Sequence, residues 1–204
     1  MIEIKKMKSK VLLAFDIETT GLSEQTTILS LAAVRYDTLN HFYAEITHPK
    51  GAYCEAKAFE VNRFNILDLQ RKSDLKSKSI LIGTLEEVDN LFSKWLKKID
   101  NDIILTGLNV LTFDARYAQK YLPKSYALFT KHHGYCVTAE LNNFINGISY
   151  FEESNFKLIK NKAKEYAENK IIKIRSDLKS HNALYDATKI AFNFSYLITF
   201  KDNI

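Results

Sequence analysis

The chain predicts an α/β domain built on a mixed β-sheet. Three observations lead there. Residues 11–18, 28–37 and 41–47 are consecutive strand-like segments with short polar breaks, the pattern of an antiparallel meander. A later apolar segment, "DIILTGL" at 102–108, stands between two helical segments. Strongly periodic helices occupy 84–99 and the stretch from Ala183 onward.

Taken in order, "ILSLAAVRYD" is apolar throughout and "HFYAEI" alternates. Residues 48–83 are poorly patterned, with "AKAFEVNRFNI" expected as a short helix and turn. Thr84 caps the next helix, and Glu87 three residues on completes a capping box. Leu85, Val88, Leu91, Phe92, Trp95, Leu96 and Ile99 share one face of it. A second helix begins near Asp114 and stops before Pro123. Residues 124–150 fit neither period, and 155–168 form a basic, helix-like segment. In the last helix Ala183, Leu184, Ala187, Ile190, Ala191, Phe194 and Leu197 share a face. This order suits a ribonuclease-H-like mixed β-sheet flanked by helices, and leaves other mixed α/β folds open.

The 204 residues suffice for one domain, 1–204, with a sizeable core. A hydrophobic content of 46% and an aromatic content of 12% fit a soluble globular chain. No stretch approaches the length of a membrane span, so no membrane partner is expected. The start, "MIEIKKMKSKVLLAF", is basic and then apolar, but Asp16 cuts the apolar run too early for a signal peptide. Cys54 and Cys136 show no metal-type spacing and read as reduced core thiols of a cytoplasmic protein. The adjacent His132 and His133 read as a surface turn, with a metal site as the minor alternative. Segment 154–180 holds seven Lys and one Arg against Glu165, Glu168 and Asp177, and so carries the whole net charge of +5. It suits either a polyanion or an ordinary solvated helix face.

Chemistry is concentrated in three stretches. "AFDIETTGL" at 14–22 puts Asp16 and Glu18 two apart on a strand, hence on one face. Two carboxylates so close raise each other's pKa unless a cation lies between them. Their hard oxygens suit Mg²⁺ or Mn²⁺, while two solvated acids on a strand edge are the bland alternative. "GLNVLTFDARYAQ" at 107–119 places Asp114 after an apolar strand, where a helix-capping role competes with a ligand role. "SHNALYDATKIAF" at 180–192 places His181 at a helix entrance and Asp186 in its first turns. Taken singly, that histidine reads as a cap or a surface residue.

Together these stretches resemble the DEDDh exonucleases, the DnaQ-like family that includes polymerase proofreading subunits and ribonuclease T. "FDIETTGL", "NVLTFD" and "HNALYDA" occur in the family's order within residues 11–195. The spacing from Asn109 to Asp114 is one residue longer than in many members. The resemblance implies a 3′→5′ exonuclease that releases nucleoside 5′-monophosphates, DNA slightly preferred. It implies two Mg²⁺ or Mn²⁺ ions on Asp16, Glu18, Asp114 and Asp186, with His181 as general base. It further implies contacts to the terminal nucleotide from Thr19, Thr20, Gly21, Leu22, Asn109 and Phe113, with Leu22 packed on the base. The alternatives are an exoribonuclease that trims RNA 3′ ends and a catalytically silent nucleic-acid-binding module. Silent relatives should lack one of the five residues, and all five are present. Because the last helix ends almost at residue 204, a stand-alone enzyme or a small dissociable partner of a polymerase or replication complex is expected.

Overall fold

The alternation of β1 (Lys10–Thr19) decides which face of the sheet each residue serves. In the computed structural model, which describes residues 10–49, 51–62, 80–99, 102–136, 153–174 and 182–201, six strands form one sheet of order β4-β3-β2-β1-β5-β6. β2 (Ile28–Arg35) and β3 (His41–Ile46) complete the expected meander. β4 (Leu81–Gly83) runs parallel to β3, β5 (Asp102–Gly107) parallel to β1, and β6 (Phe129–Cys136) parallel to β5. Only β2 runs against the others.

Val11, Leu13, Phe15 and Ile17 point to one face, into a core shared with α2 (Leu85–Leu96) and α3 (Asp114–Tyr121). Phe92 lies at its centre, stacked on Phe15 at 6.0 Å between ring centroids and close to Phe42, Trp95 and Phe129. The capping box forms as expected: Thr84 N–H donates to Glu87 Oε2 at 2.8 Å, and Glu87 N–H donates to Thr84 Oγ1 at 3.3 Å. One side chain of the expected apolar face does not join the core, since Leu91 is 40% exposed. Asp89 is buried instead. It accepts from the N–H groups of Lys124 (3.0 Å) and Ser125 (2.9 Å), tying down the short helix α4 (Pro123–Tyr126).

The opposite face carries Ala14 of β1 and Ala32 and Val34 of β2. Against them pack Ala183, Leu184, Ala187, Ile190 and Ala191 of α6 (Ala183–Lys201). The small residues on both sides let the helix lie close to the sheet. The side chains of Phe194 and Leu197 lie outside the described residues. α5 (Glu153–Ile174) is longer than the basic segment predicted. It covers the outer side of α6 through Ala167 and Ile171, which meet Phe192. Among its described side chains Lys162, Lys164 and Lys170 are exposed, and Glu168 takes Lys189 at 3.2 Å and Lys164 at 4.0 Å.

Three expectations are corrected. Residues 124–150 contain a strand, β6, which includes His132 and His133, so the pair does not form a turn. Its sequence lacks a period because its mixed composition pairs only through β5. The poorly patterned stretch 48–83 carries the short helix expected in it, α1 (Ala56–Asn62), but also a strand that was not expected, β4. Three residues are too few for β4 to show alternation, and parallel pairing with β3 creates it. Finally, Cys54 is a free thiol, half-buried before α1 rather than in the core.

Candidate metal centre

β1 continues beyond the end of its neighbour β5, and the site is built on that overhang. The two parallel strands pair from Lys10–Asp102 to Ala14–Thr106. After β1 the chain turns to β2 on one side, whereas after β5 it leads to β6 on the other. The carboxyl ends of β1 and β5 therefore border a switch point, where open α/β sheets leave a crevice.

Asp16 and Glu18 leave β1 on the α6 face, in register with Ala32 and Ser30 of β2. Asp186 lies in the first turn of α6, between Ala183 and Ala187, the residues that bring the helix onto the sheet. Carboxylate oxygens of Asp16, Glu18 and Asp186 all lie within 4.8 Å of one another, close enough to hold a metal ion together. The pair read from "DIE" thus gains its third member from a residue 168 positions beyond Glu18.

Asp114 is 3% exposed and opens α3, but it does not cap that helix. Its Oδ1 accepts from the N–H of Ile17 at 3.0 Å. Main-chain groups of Phe15 and Ile17 point to the β5 side, and β5 ends too early to take that of Ile17. Asp114 satisfies the donor instead, because a buried amide without an acceptor is costly. The capping role first set against its ligand role is therefore corrected: the carboxylate bridges α3 to β1.

Electrostatics unite the four acids. Burial, then Asp114, Asp186 and Glu18, hold the Asp16 carboxyl well above the usual carboxylate range. Burial, then Asp186 and Asp114, push Glu18 up to about 7. Burial also raises Asp114 to about 7, against the lowering effect of the Ile17 N–H. Among the described residues, every charge that acts on Asp16 and Glu18 is a carboxylate. A divalent cation would relieve that repulsion, and an all-oxygen donor set suits a hard one.

His181 lies outside the described residues. Its neighbour Asn182 caps α6, accepting from Leu184 N–H at 3.0 Å, so the helix does not need the histidine as its cap. Asn182 is in turn held by Tyr43, to whose hydroxyl its Nδ2 donates at 3.1 Å. That hydroxyl donates to the buried Glu45 at 3.1 Å. No spacing in the sequence signals this chain of contacts, since its members come from β3 and from the α6 entrance.

The turn after β1 separates two kinds of side chain. Thr19 donates to Gly21 O at 2.7 Å, and Thr20 Oγ1 accepts from Thr27 N–H at 2.9 Å, so both hydroxyls serve the turn. Leu22, by contrast, is 78% exposed. With the half-buried Phe113 it lines two adjoining cavities. One, of about 210 Å³, opens beside Glu18 and reaches α1. The other, of about 380 Å³, runs along α3 past Arg116, Tyr117 and Lys120. Asn109 has φ 54° and turns the chain after β5; its carbonyl accepts from the N–H of Phe113 at 3.0 Å. Glu55 and Asn62 escaped the sequence reading. Glu55 accepts from the N–H groups of Leu22 (3.1 Å) and Ser23 (3.0 Å), and Asn62 Nδ2 donates to Thr19 O at 3.0 Å. Both sit in the unpatterned stretch, where no motif could find them. What the chain itself establishes is a carboxylate centre at the end of β1 beside two cavities; comparison with known proteins returns no matching family model and no matching characterised protein.

Proposed function

We propose that the chain is a metal-dependent 3′→5′ exonuclease that hydrolyses nucleic acid from its 3′ end, DNA slightly preferred, and releases nucleoside 5′-monophosphates. One observation carries the reading: acids from three separate motifs, the ones the DEDDh resemblance names, repel one another at a single strand end. The strand order, with β2 alone reversed, is compatible with a ribonuclease-H-like fold. The donors fit Mg²⁺ or Mn²⁺, since all are hard carboxylate oxygens. Asp16, Glu18 and Asp186 would hold one ion, and Asp114 would join them in holding a second. Bound there, such ions supply an activated water and neutralise charge on the phosphodiester.

The protein's own groups do the rest. With Glu18 and Asp114 each raised to about 7, metal loading near neutral pH would release protons from them. Asp114 keeps one oxygen on Ile17 N–H and thereby fixes the distance between α3 and β1. His181, by resemblance, takes the proton of the attacking water, a task suited to a group that titrates near neutral pH. Leu22 and Phe113 offer apolar surface to the terminal base.

The test uses 5′-labelled DNA and RNA oligonucleotides with Mg²⁺. A ladder shortening from the 3′ end, with nucleoside 5′-monophosphates released and excess chelator stopping it, is expected. Absence of cleavage with either polymer in Mg²⁺ and Mn²⁺ would overturn the proposal.

A further inference from the structure

None of the described side chains of α1 is fully buried. All are exposed or half-buried, and the helix packs extensively on no other described element. Seven residues are too few to form a stable helix unaided. Two polar clamps to the end of β1 hold it. At one end, each oxygen of the Glu55 carboxylate accepts a main-chain N–H, from Leu22 at 3.1 Å and Ser23 at 3.0 Å. The N–H of Glu55 donates to Thr20 O at 2.8 Å. At the other end, Asn62 Nδ2 donates to Thr19 O at 3.0 Å. Gly21 belongs to the same device: its φ is 150°, and a Cβ there would overlap the Glu55 carboxyl. Turn and clamp are fitted to each other.

Both clamps border the cavity of about 210 Å³ beside Glu18, whose α1 wall is completed by Ala58 and Val61. Val61, 40% exposed, and Leu22 both line this cavity. Cavities of this kind, apolar with a few fixed polar groups, take a flat organic ligand. We propose that Glu55 and Asn62 are positioning residues that hold α1 as one wall of this cavity, so that α1 and Leu22 together grip the terminal nucleotide next to the carboxylates. The proposal rests on the exonuclease reading. Neither side chain touches the reacting atoms. Their effect passes through the placement of α1 and Leu22, so it belongs to substrate binding more than to the chemical step.

The test compares the full-length protein with Glu55→Ala, Glu55→Gln and Asn62→Ala. Amide hydrogen exchange over residues 56–62 reads the clamp without any activity. Steady-state cleavage of a 5′-labelled oligonucleotide in Mg²⁺ reads its use. Glu55→Ala and Asn62→Ala should speed exchange over α1. Because a hydrogen bond to a charged group is at stake, Glu55→Ala should raise KM about tenfold. Since the loss is one of uniform binding, kcat should stay within about threefold of the parent. Glu55→Gln keeps one accepting oxygen and should fall between parent and Ala variant in both readouts, a partial rescue that mere packing would not produce. Unchanged exchange would show that α1 is not clamped. Faster exchange with unchanged KM, or a loss confined to kcat, would show that the clamp does not serve the substrate. Either overturns the proposal. A parent protein that cleaves nothing would overturn the exonuclease reading, and exchange would still report whether the clamp exists.

Discussion

Asp16 occupies a position that is unfavourable for the folded chain alone. Burial and three other acids oppose its charge, so Asp16→Asn should raise the melting temperature of the metal-free protein by about 2–4 °C and abolish cleavage. Unfolding scans in chelator, together with the oligonucleotide assay, check both halves; a less stable or a fully active variant would refute the assignment. The same repulsion fixes a pH dependence. Glu18 and Asp114 titrate near 7 when folded, against ordinary values of 4.5 and 3.8. Between those limits the native state binds more protons than the unfolded chain, so its stability is greatest at the acid end and is lost as pH rises through 7. Metal-free melting temperature should therefore fall from about pH 5 to about pH 8, and Glu18→Gln should flatten the slope. A slope of opposite sign would exclude the raised values. If His181 is the general base, His181→Ala should lower kcat about 10²–10⁴-fold with little change in substrate affinity, measured by single-turnover cleavage and by binding in Ca²⁺.

Elements bring these residues together through close approach. β5 ends at Gly107, where a Cβ would lie 2.8 Å from Phe15 O and 2.9 Å from Val110 Cβ. Neither neighbour is the free end of a flexible side chain, so β1 and β5 would have to part. Gly107→Ala should cost about 1–3 kcal/mol in urea unfolding. Phe15 precedes Asp16, and Ile17 hangs on Asp114, so the same substitution should lower cleavage as well as stability. Unaltered activity in the destabilised variant would mean that the strand spacing does not govern the carboxylates. α6 shows the same logic from the other side. Its alanines lie against Ala14 and Ala32, and Asn182 at its cap is anchored to Tyr43. A larger residue on that seam would lift Asp186 away from Asp16.

At the scale of the whole molecule, the carboxylate centre links elements that are far apart in sequence: β1, the start of α3 and the start of α6. A ligand that binds this assembled centre and not the unfolded chain stabilises everything that builds it. Mg²⁺ at about a hundred times its dissociation constant should add about 2.7 kcal/mol, and excess chelator should reverse the gain. Deprotonation must precede binding, so the stabilisation should grow from about pH 5 to about pH 8, opposite to the trend of the metal-free protein. Thermal unfolding in Mg²⁺ and in chelator across that range checks this, and an increment independent of pH would contradict it. The basic stretch belongs at this scale too. The described part of α5 uses its apolar side to cover α6 and spends charge on Glu168, the behaviour of a solvated helix face.

Local rules were enough to read the meander, the Thr84 capping box, the helix α6 and the convergence of Asp16 with Glu18. Each depends on neighbours within a few positions, through strand alternation, helical period or a cap. Asp186 and Asp114 stood out in the sequence by resemblance, but their placement did not. Asp186 meets the pair because alanines on β1, β2 and α6 let the helix settle on the sheet. Asp114 bonds to Ile17 because β5 stops short of β1 and leaves that amide without a partner. β4 and β6 were invisible because their order comes from the strands they pair with. Glu55, Asn62 and the link from Glu45 through Tyr43 to Asn182 were invisible for a related reason: a side chain that clamps a distant main-chain group leaves no period or spacing of its own. Residue types and local periods thus come from the sequence, while the meeting of four carboxylates, and the pKa values that follow from it, exist only once burial and long-range packing have brought them to one strand end.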